Sequence, residues 1–340
     1  MDVLPAGYSS RPIRMSDLER VARLANKHAR RFTERDVVSK DRLCTMFSAP
    51  DFDLSTSTRL VLDSADAPVA VAIVFHHDPH VTVQVWCLVD AAHQGRGIGR
   101  FLHDWILERS REAARQASPD TRVVLRQQTY DGDASAEAFL RQAGYHETRH
   151  YWRMRIEFDG PPPPPQWPER IVPDTFDPKR DLEASARASR EAFQDHYGFV
   201  ASSLETELER TRHYIETDPD FDPTLWFLAR DGDQVAGLCL CSPKAAGEHT
   251  TAYVQNLGVR PAWRRRGLGR TLLLHAFGEL YRRGKRAVAL HVDAQSLTGA
   301  TRLYESVGMK VDDLSHEYEL ELRAGVDLTV KELRADTRRT

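Results

Sequence analysis

A chain of 340 residues exceeds what one hydrophobic core usually organises and predicts two domains of about 150 residues each. With 41% hydrophobic and 29% charged residues it reads as globular, and a formal charge of −3 argues against a broad nucleic-acid or anionic-membrane footprint. Cys44, Cys87, Cys239 and Cys241 form no Cys-x-x-Cys pair, no apolar run approaches the roughly 18 residues of a membrane span, and no charged-then-apolar segment opens the chain; a reduced, cytoplasmic protein is expected.

In chain order, 11–14 reads as a short edge strand, and Ser16 then caps a helix with Leu18, Val21, Ala22 and Leu24 on its apolar face. A second helix is expected over 39–47, and strands over 59–62, 69–75 and 81–89, separated by Asp/Pro turn signals. A glycine turn follows, Gln94-x-x-Gly97-x-Gly99, then a helix whose Ile98, Phe101, Leu102, Trp105 and Ile106 share one face. A strand at 123–125, a helix at 134–142 and closing strands from Gly144 through Phe158 complete the first half.

Gly160 and the five prolines 161–165 form a stiff polyproline segment, read as a spacer between two domains. Beyond it the same order recurs: a strand at 170–172, helices near 181–193 and 204–215, strands at 225–229, 234–241 and 250–259, a helix with Leu268, Leu272, Leu273, Ala276, Phe277 and Leu280 on its buried face, a strand at 287–292, a helix at 298–306 and a closing strand at 308–322. The expected boundaries are 1–159, a linker at 160–168, 169–323, and a loosely attached charged tail at 324–340.

The stretch 257–270, Leu-Gly-Val-Arg-Pro-Ala-Trp-Arg-Arg-Arg-Gly-Leu-Gly-Arg, leads a strand directly into a helix and reads as a phosphate cradle. Gly267 and Gly269 carry no Cβ, so main-chain N–H groups can close on an anion where the helix dipole already favours negative charge, without a metal. The spacing is neither a Walker loop nor a Rossmann fingerprint. It is Arg264-x-x-Gly267-x-Gly269, a repeat of the glycine turn 170 residues earlier (264 − 94), which marks a duplicated domain.

On these two turns and their strand-turn-helix setting the chain resembles the GNAT family of N-acetyltransferases, in which Arg/Gln-x-x-Gly-x-Gly/Ala wraps the diphosphate of an acyl-CoA. The resemblance implies an α/β fold of two tandem GNAT-like domains, each a mixed central sheet flanked by helices. It also implies acetyl-CoA as co-substrate, no metal, and acetyl transfer to the primary amine of a small molecule. Cofactor contacts are then expected at Leu257, Gly258, Val259, Arg264, Arg265, Arg266, Gly267, Leu268, Gly269 and Arg270. The matching positions of the first copy are Cys87, Leu88, Val89, Gln94, Gly95, Arg96, Gly97, Ile98, Gly99 and Arg100.

In the family, a tyrosine on the helix after the fifth strand protonates the departing CoA thiolate. Tyr304 stands at that place, four residues before Gly308, whereas the first copy has Leu140 four before Gly144. Leucine has no proton to give, so the C-terminal copy is expected to be catalytic and the N-terminal copy to bind CoA unproductively or to serve as a packing partner. The resemblance offers a backbone N–H near Leu257 for the oxyanion. It leaves the base open among His249, His291, Asp293 and a water chain, with Gln255 where some relatives have glutamate and Leu297 where many have asparagine.

The run Phe193-Gln194-Asp195-His196-Tyr197-Gly198 resembles a phrase of other two-copy acetyltransferases and reads equally as a substrate loop or as a helix end with Gly198 in the left-handed position. As a substrate loop, Asp195, His196 and Tyr197 would contact the amine, Asp195 holding its ammonium form, with Phe199 and Trp226 lining the pocket. Cys239 and Cys241 share a strand face and read as buried thiols. No nucleic-acid or membrane partner is expected, and the two copies can pair with each other within a monomer. The competing functions are a non-catalytic CoA-binding sensor or scaffold and a protein N-acetyltransferase.

Overall fold

The computed structural model describes residues 3–332, which fall into two compact units: the described residues up to 149 with 315–328, and 150–314 with 329–332.

The first sequence half runs β1 (Ser9–Arg11), α1 (Leu18–Thr33), α2 (Lys40–Phe47), α3 (Leu54–Ser57), β2 (Thr58–Leu62), β3 (Pro68–His76), β4 (Thr82–Val89), α4 (Ile98–Ala114), β5 (Val123–Tyr130), α5 (Ala134–Gln142) and β6 (His146–Glu157). The second runs β7 (Ile171–Thr175), α6 (Pro178–Phe193), α7 (Leu204–Thr217), β8 (Trp226–Asp231), β9 (Gln234–Ser242), β10 (Thr251–Val259), α8 (Leu268–Arg282), β11 (Ala287–Asp293), α9 (Ala300–Ser306) and β12 (Lys310–Arg323). The first strand ends at Arg11 because Pro12 has no N–H to give a ladder. The short α3, unread in the sequence, starts where Asp53 accepts from the N–H of Ser55.

In the first unit the strand order is β1-β2-β3-β4-β5-β12, with only β4 and β5 parallel. Leu18, Val21, Leu24 and Ala25 of α1 pack on Leu60, Val71, Ile73 and Leu88 of the sheet. The second unit repeats this as β7-β8-β9-β10-β11-β6, with only β10 and β11 parallel. One face of its sheet is covered by α8 through Leu272, Leu273, Ala276, Phe277 and Leu280, and the other carries a second core of Phe176, Ala188, Trp226, Leu228 and Leu238. Apolar burial on both faces explains why the central strands read as continuous hydrophobic runs.

The domain boundary differs from the one expected. Each unit takes its last strand from the other half of the sequence: β12 pairs with β5, Glu319 opposite Arg126, while β6 pairs with β11, Arg153 opposite His291. Ion pairs hold each exchanged strand. In the first unit Arg126 donates to Glu319 at 3.0 Å and Arg122 donates to the same carboxylate at 2.8 Å, all on β5, its approach and β12. In the second unit Arg153 of β6 pairs with Glu248 and Asp312.

The proline-rich 160–168 segment likewise belongs to the second unit. The Thr271 hydroxyl of α8 donates to the Gln166 carbonyl at 2.7 Å, and Trp167 packs edge-on against His275. The expected tail is tied down at two places: Val326 exchanges backbone bonds with Asp120 and Arg122, and Val330 with Gly198 and Phe199. Residues 333–340 of that expected tail lie outside the described residues. Among the described residues, no helix is long and apolar enough to cross a membrane.

The Glu319 carboxylate is 2% exposed and faces Arg126 at 8%. Removing it leaves a buried guanidinium short of its counter-charge, so Glu319→Ala is expected to lower unfolding free energy by about 3–5 kcal/mol, read by urea denaturation. An effect below about 0.5 kcal/mol would mean that this pair does not hold β12 in place.

Candidate active site

β10 and β11 lie side by side only from Thr251–Tyr253 against Ala287–Ala289, although β10 continues to Val259 and β11 to Asp293. A register shift between Val254 and Asn256 leaves Gln255 as the extra residue of a bulge, which bends the strand away. The two strands therefore part towards the glycine turn, and among the described residues no strand pairs with the β11-facing edge of β10 beyond Tyr253. A strand edge that is unpaired offers main-chain N–H and C=O groups to an extended ligand.

At the end of β10 the chain turns through Pro261–Trp263 and enters α8 with Gly267 as the residue before the helix, at φ 78° in the left-handed region. No atom lies within 4 Å of where a Gly267 Cβ would stand, so the first turn of α8 is open to an anion. Arg265, Arg266 and Arg270 are exposed around it. Gly269 has a different use: Leu303 of α9 reaches to 3.2 Å of its missing Cβ. That close approach sets α9, and with it Tyr304, against the first turn of the cradle helix.

Tyr304 is 8% exposed and sits in the core with Cys239, Leu268 and Val292. Burial, with Cys239 and Tyr253 nearby, pushes its phenol above the usual tyrosine range, so at neutral pH it keeps its proton. Cys239 and Cys241 are buried with sulfurs 3.8 Å apart, as read from their alternation on one strand.

The loop after α6 packs on β10 at Gly258. Ala192 Cβ lies 2.8 Å and Phe193 Cε2 3.1 Å from the place of a Gly258 Cβ, so only glycine admits the helix end there. Arg264 then ties loop and turn together. Its Nε donates to the Val259 carbonyl at 2.9 Å, its Nη2 to the Ala192 carbonyl at 2.9 Å and to Asp195 at 3.0 Å, and its Nη1 pairs with the other Asp195 oxygen. Asp195, read from sequence as a partner for a substrate ammonium, is thus engaged by Arg264, and Arg264 is turned inward rather than towards the open turn. His196 packs edge-on against Phe193 at 4.7 Å. Its burial lowers its pKa against the opposing pull of Asp195 and Asp293, which puts it near the end of β11. Tyr197 is covered by Lys331, whose ammonium donates to its hydroxyl at 3.2 Å. Gly198 is in the left-handed region as a helix-end reading expects, at φ 75°.

Several expected site residues have other partners. Gln255 donates to the Tyr214 hydroxyl at 2.7 Å, and Tyr214 stacks on Trp226. Trp226 is a core residue rather than a pocket wall, 5% exposed among Phe176, Tyr214 and Phe221. His291 shares a 2.7 Å hydrogen bond with Tyr253. The sequence reading missed Tyr214 and Tyr253; a strand aromatic two residues before a bulge carried no signal of its own.

The first copy has the same scaffold with different fittings. β4 and β5 pair only from Thr82–Val85 to Val124–Gln127 and then part. Gly97 opens α4 at φ 85°, and Gln94 donates to the Val89 carbonyl at 3.4 Å as Arg264 does to Val259. Here, however, Pro5 lies 3.5 Å from the place of a Gly97 Cβ, and Arg96 donates to Tyr8, so the chain's own beginning leans on the turn. Leu140 fills the position of Tyr304 and is 1% exposed. Cys87 and Leu88 stand where the second copy has Leu257 and Gly258, and burial pushes the Cys87 thiol up to about 12.

Gly258→Ala drives a methyl group into Ala192 and Phe193. It is expected to cost about 1–3 kcal/mol, read as a lowered midpoint of urea unfolding, whereas Gly278→Ala on α8, with nothing within 4 Å, should not destabilise. Equal behaviour of the two variants would contradict the packing at Gly258.

The acetyltransferase (GNAT) family profile matches residues 20–145 and 187–309. The mycothiol acetyltransferase of Thermobispora bispora is 31% identical over 296 residues, covering 86% of this chain and 92% of its own. The crystal structure of a GCN5-related N-acetyltransferase from Sphaerobacter thermophilus superposes with a TM-score of 0.78 at 32% identity, over 96% of this chain and 99% of that one. A tandem GNAT protein from the clavulanic acid biosynthesis pathway has a TM-score of 0.70 at 16% identity, over 94% and 99% of the two chains, a likeness of fold alone. With both family matches falling on the two glycine turns and their sheets, the chain belongs to the acetyltransferase (GNAT) family and is a tandem N-acetyltransferase of that type.

Proposed function

We propose that the second unit transfers an acetyl group from acetyl-CoA to the primary amine of a small molecule by direct attack, and that the first unit does not catalyse. The observation that carries this reading is the coincidence, in one unit, of an open glycine turn at Gly267 and a buried phenol at Tyr304 on the helix that packs on Gly269. The first unit has a turn approached by Pro5 and a leucine in place of the phenol.

On this reading the α8 N–H groups, with Arg265, Arg266 and Arg270, hold the diphosphate, and the unpaired edge of β10 beyond Tyr253 lines the pantetheine arm. Near Leu257 a main-chain N–H polarises the thioester carbonyl. The amine approaches from the 193–199 loop in its neutral form. The amine nitrogen bonds to the thioester carbon, Tyr304 donates its phenolic proton to the sulfur as the C–S bond breaks, and the proton that the acylated nitrogen sheds returns the phenolate to phenol through solvent. Leu257, Gly258 and Val259 belong to the strand end, with Gly258 serving the loop and Val259 anchoring Arg264. Curated relatives named mycothiol acetyltransferase support a small-molecule acceptor. The amine those enzymes acetylate is the first to try.

Release of free thiol from acetyl-CoA, followed with a panel of small amines and peptide N-termini, tests the reaction. Amine-dependent release is expected with small molecules; binding of acetyl-CoA without turnover on any amine would favour a sensor, and turnover on peptides alone a protein acetyltransferase. Tyr304→Phe is expected to lower kcat by roughly 10²-fold or more with the KM for acetyl-CoA changed less than about threefold. Unchanged kcat would remove Tyr304 from the mechanism.

A further inference from the structure

Arg264 makes four hydrogen bonds, all to this chain: one to the last residue of β10 and three to the end of α6 and the loop after it. A guanidinium has five N–H groups, so little of it remains for a phosphate. Its matching residue in the first copy, Gln94, makes the bond to the strand end, accepts one from Ser135 at 3.4 Å, and has neither the length nor the charge for a second carboxylate bond. The loop that Arg264 holds also lies against β10 at Gly258, one residue from the Val259 carbonyl that Arg264 caps.

We propose that Arg264 is a positioning residue that couples the two substrate sites: through Asp195 and Ala192 it makes the diphosphate turn and the acceptor loop one rigid piece, so that filling the turn orders the loop. This deepens the proposed acetyl transfer and rests on it for the identity of the sites. Anchored at Val259 and fixed to the following turn by its own backbone, Arg264 moves with the cradle; a bidentate carboxylate bond hands that constraint to Asp195, and from there to His196 and Tyr197. Thermodynamic linkage makes the coupling reciprocal: whatever orders the loop must tighten the turn equally.

Hydrogen–deuterium exchange of the full chain with and without CoA, on wild type, Arg264→Gln, Asp195→Asn and the double variant, tests this without requiring turnover. Wild type should gain protection over both 264–272 and 193–199 on adding CoA. Each single variant should keep the first protection and lose the second, with the double variant no worse than either. CoA affinity should change less than about threefold, and the KM for the amine should rise about tenfold or more, in both single variants. If Arg264→Gln weakens CoA binding tenfold while Asp195→Asn does nothing, Arg264 grips the diphosphate and the proposal is overturned; additive effects of the two substitutions overturn it as well. Protection at both sites in a protein that acetylates no amine would sink the acetyl-transfer reading and leave the clamp standing. Far-ultraviolet circular dichroism and unfolding midpoints confirm that each variant is folded, and Arg264→Lys, which can reach one acceptor, should restore part of the loop's protection.

Discussion

The structure depends on two parallel strands that cannot stay together. β10 leaves β11 after Tyr253 because Gln255 is one residue too many for the antiparallel ladder on its other side, and a bulged strand bends. The wedge that opens has unpaired main chain on one wall and a glycine-led helix start at its end. An extended ligand with a charged head fits that combination, since the helix terminus supplies the positive end of a dipole and a row of N–H groups. Everything else in the second unit, the clamp at Arg264, the packing of α9 on Gly269 and the burial of Tyr304, fits around that wedge.

The wedge is present in both copies, and the residues around it differ. Where backbone geometry is needed both copies retain glycine, at Gly97 and Gly267, each in the left-handed region before its helix. Where side chains decide chemistry they diverge: Tyr304 against Leu140, Gly258 against Leu88, Arg264 against Gln94. Neither sequence half alone contains the strand that completes its sheet. Ion pairs line the exchanged strands: acidic Glu317, Glu319 and Glu321 on β12 meet Arg122 and Arg126, and basic Arg153 and Arg155 on β6 meet Glu248.

The order of elements and both turns were legible in the sequence because they rest on local signals: apolar periodicity and glycine where φ is positive. Exchange of the closing strands was not, because 146–157 and 310–323 have similar alternation and the strands they pair with lie far off in sequence. The roles of Gly258 and Gly269 were also hidden. A glycine beside a cradle motif reads as a cofactor contact, and only the position of Phe193 and Leu303 reveals that it makes room for a helix. Asp195 was seen as an acid in a loop, but the arginine 69 residues later that holds it could not be. Tyr304 was legible because its distance to Gly308 is local.

The claim that the second wedge alone carries the reaction is tested most directly by placing a negative charge in each turn. Gly267→Asp and Gly97→Asp put a carboxylate where the diphosphate would sit, at equivalent left-handed positions that aspartate tolerates better than most residues. Amine-dependent thiol release from acetyl-CoA should fall at least about a hundredfold in Gly267→Asp and stay within about twofold of wild type in Gly97→Asp. Loss of activity from Gly97→Asp with Gly267→Asp unaffected would place the chemistry in the first unit and contradict the account.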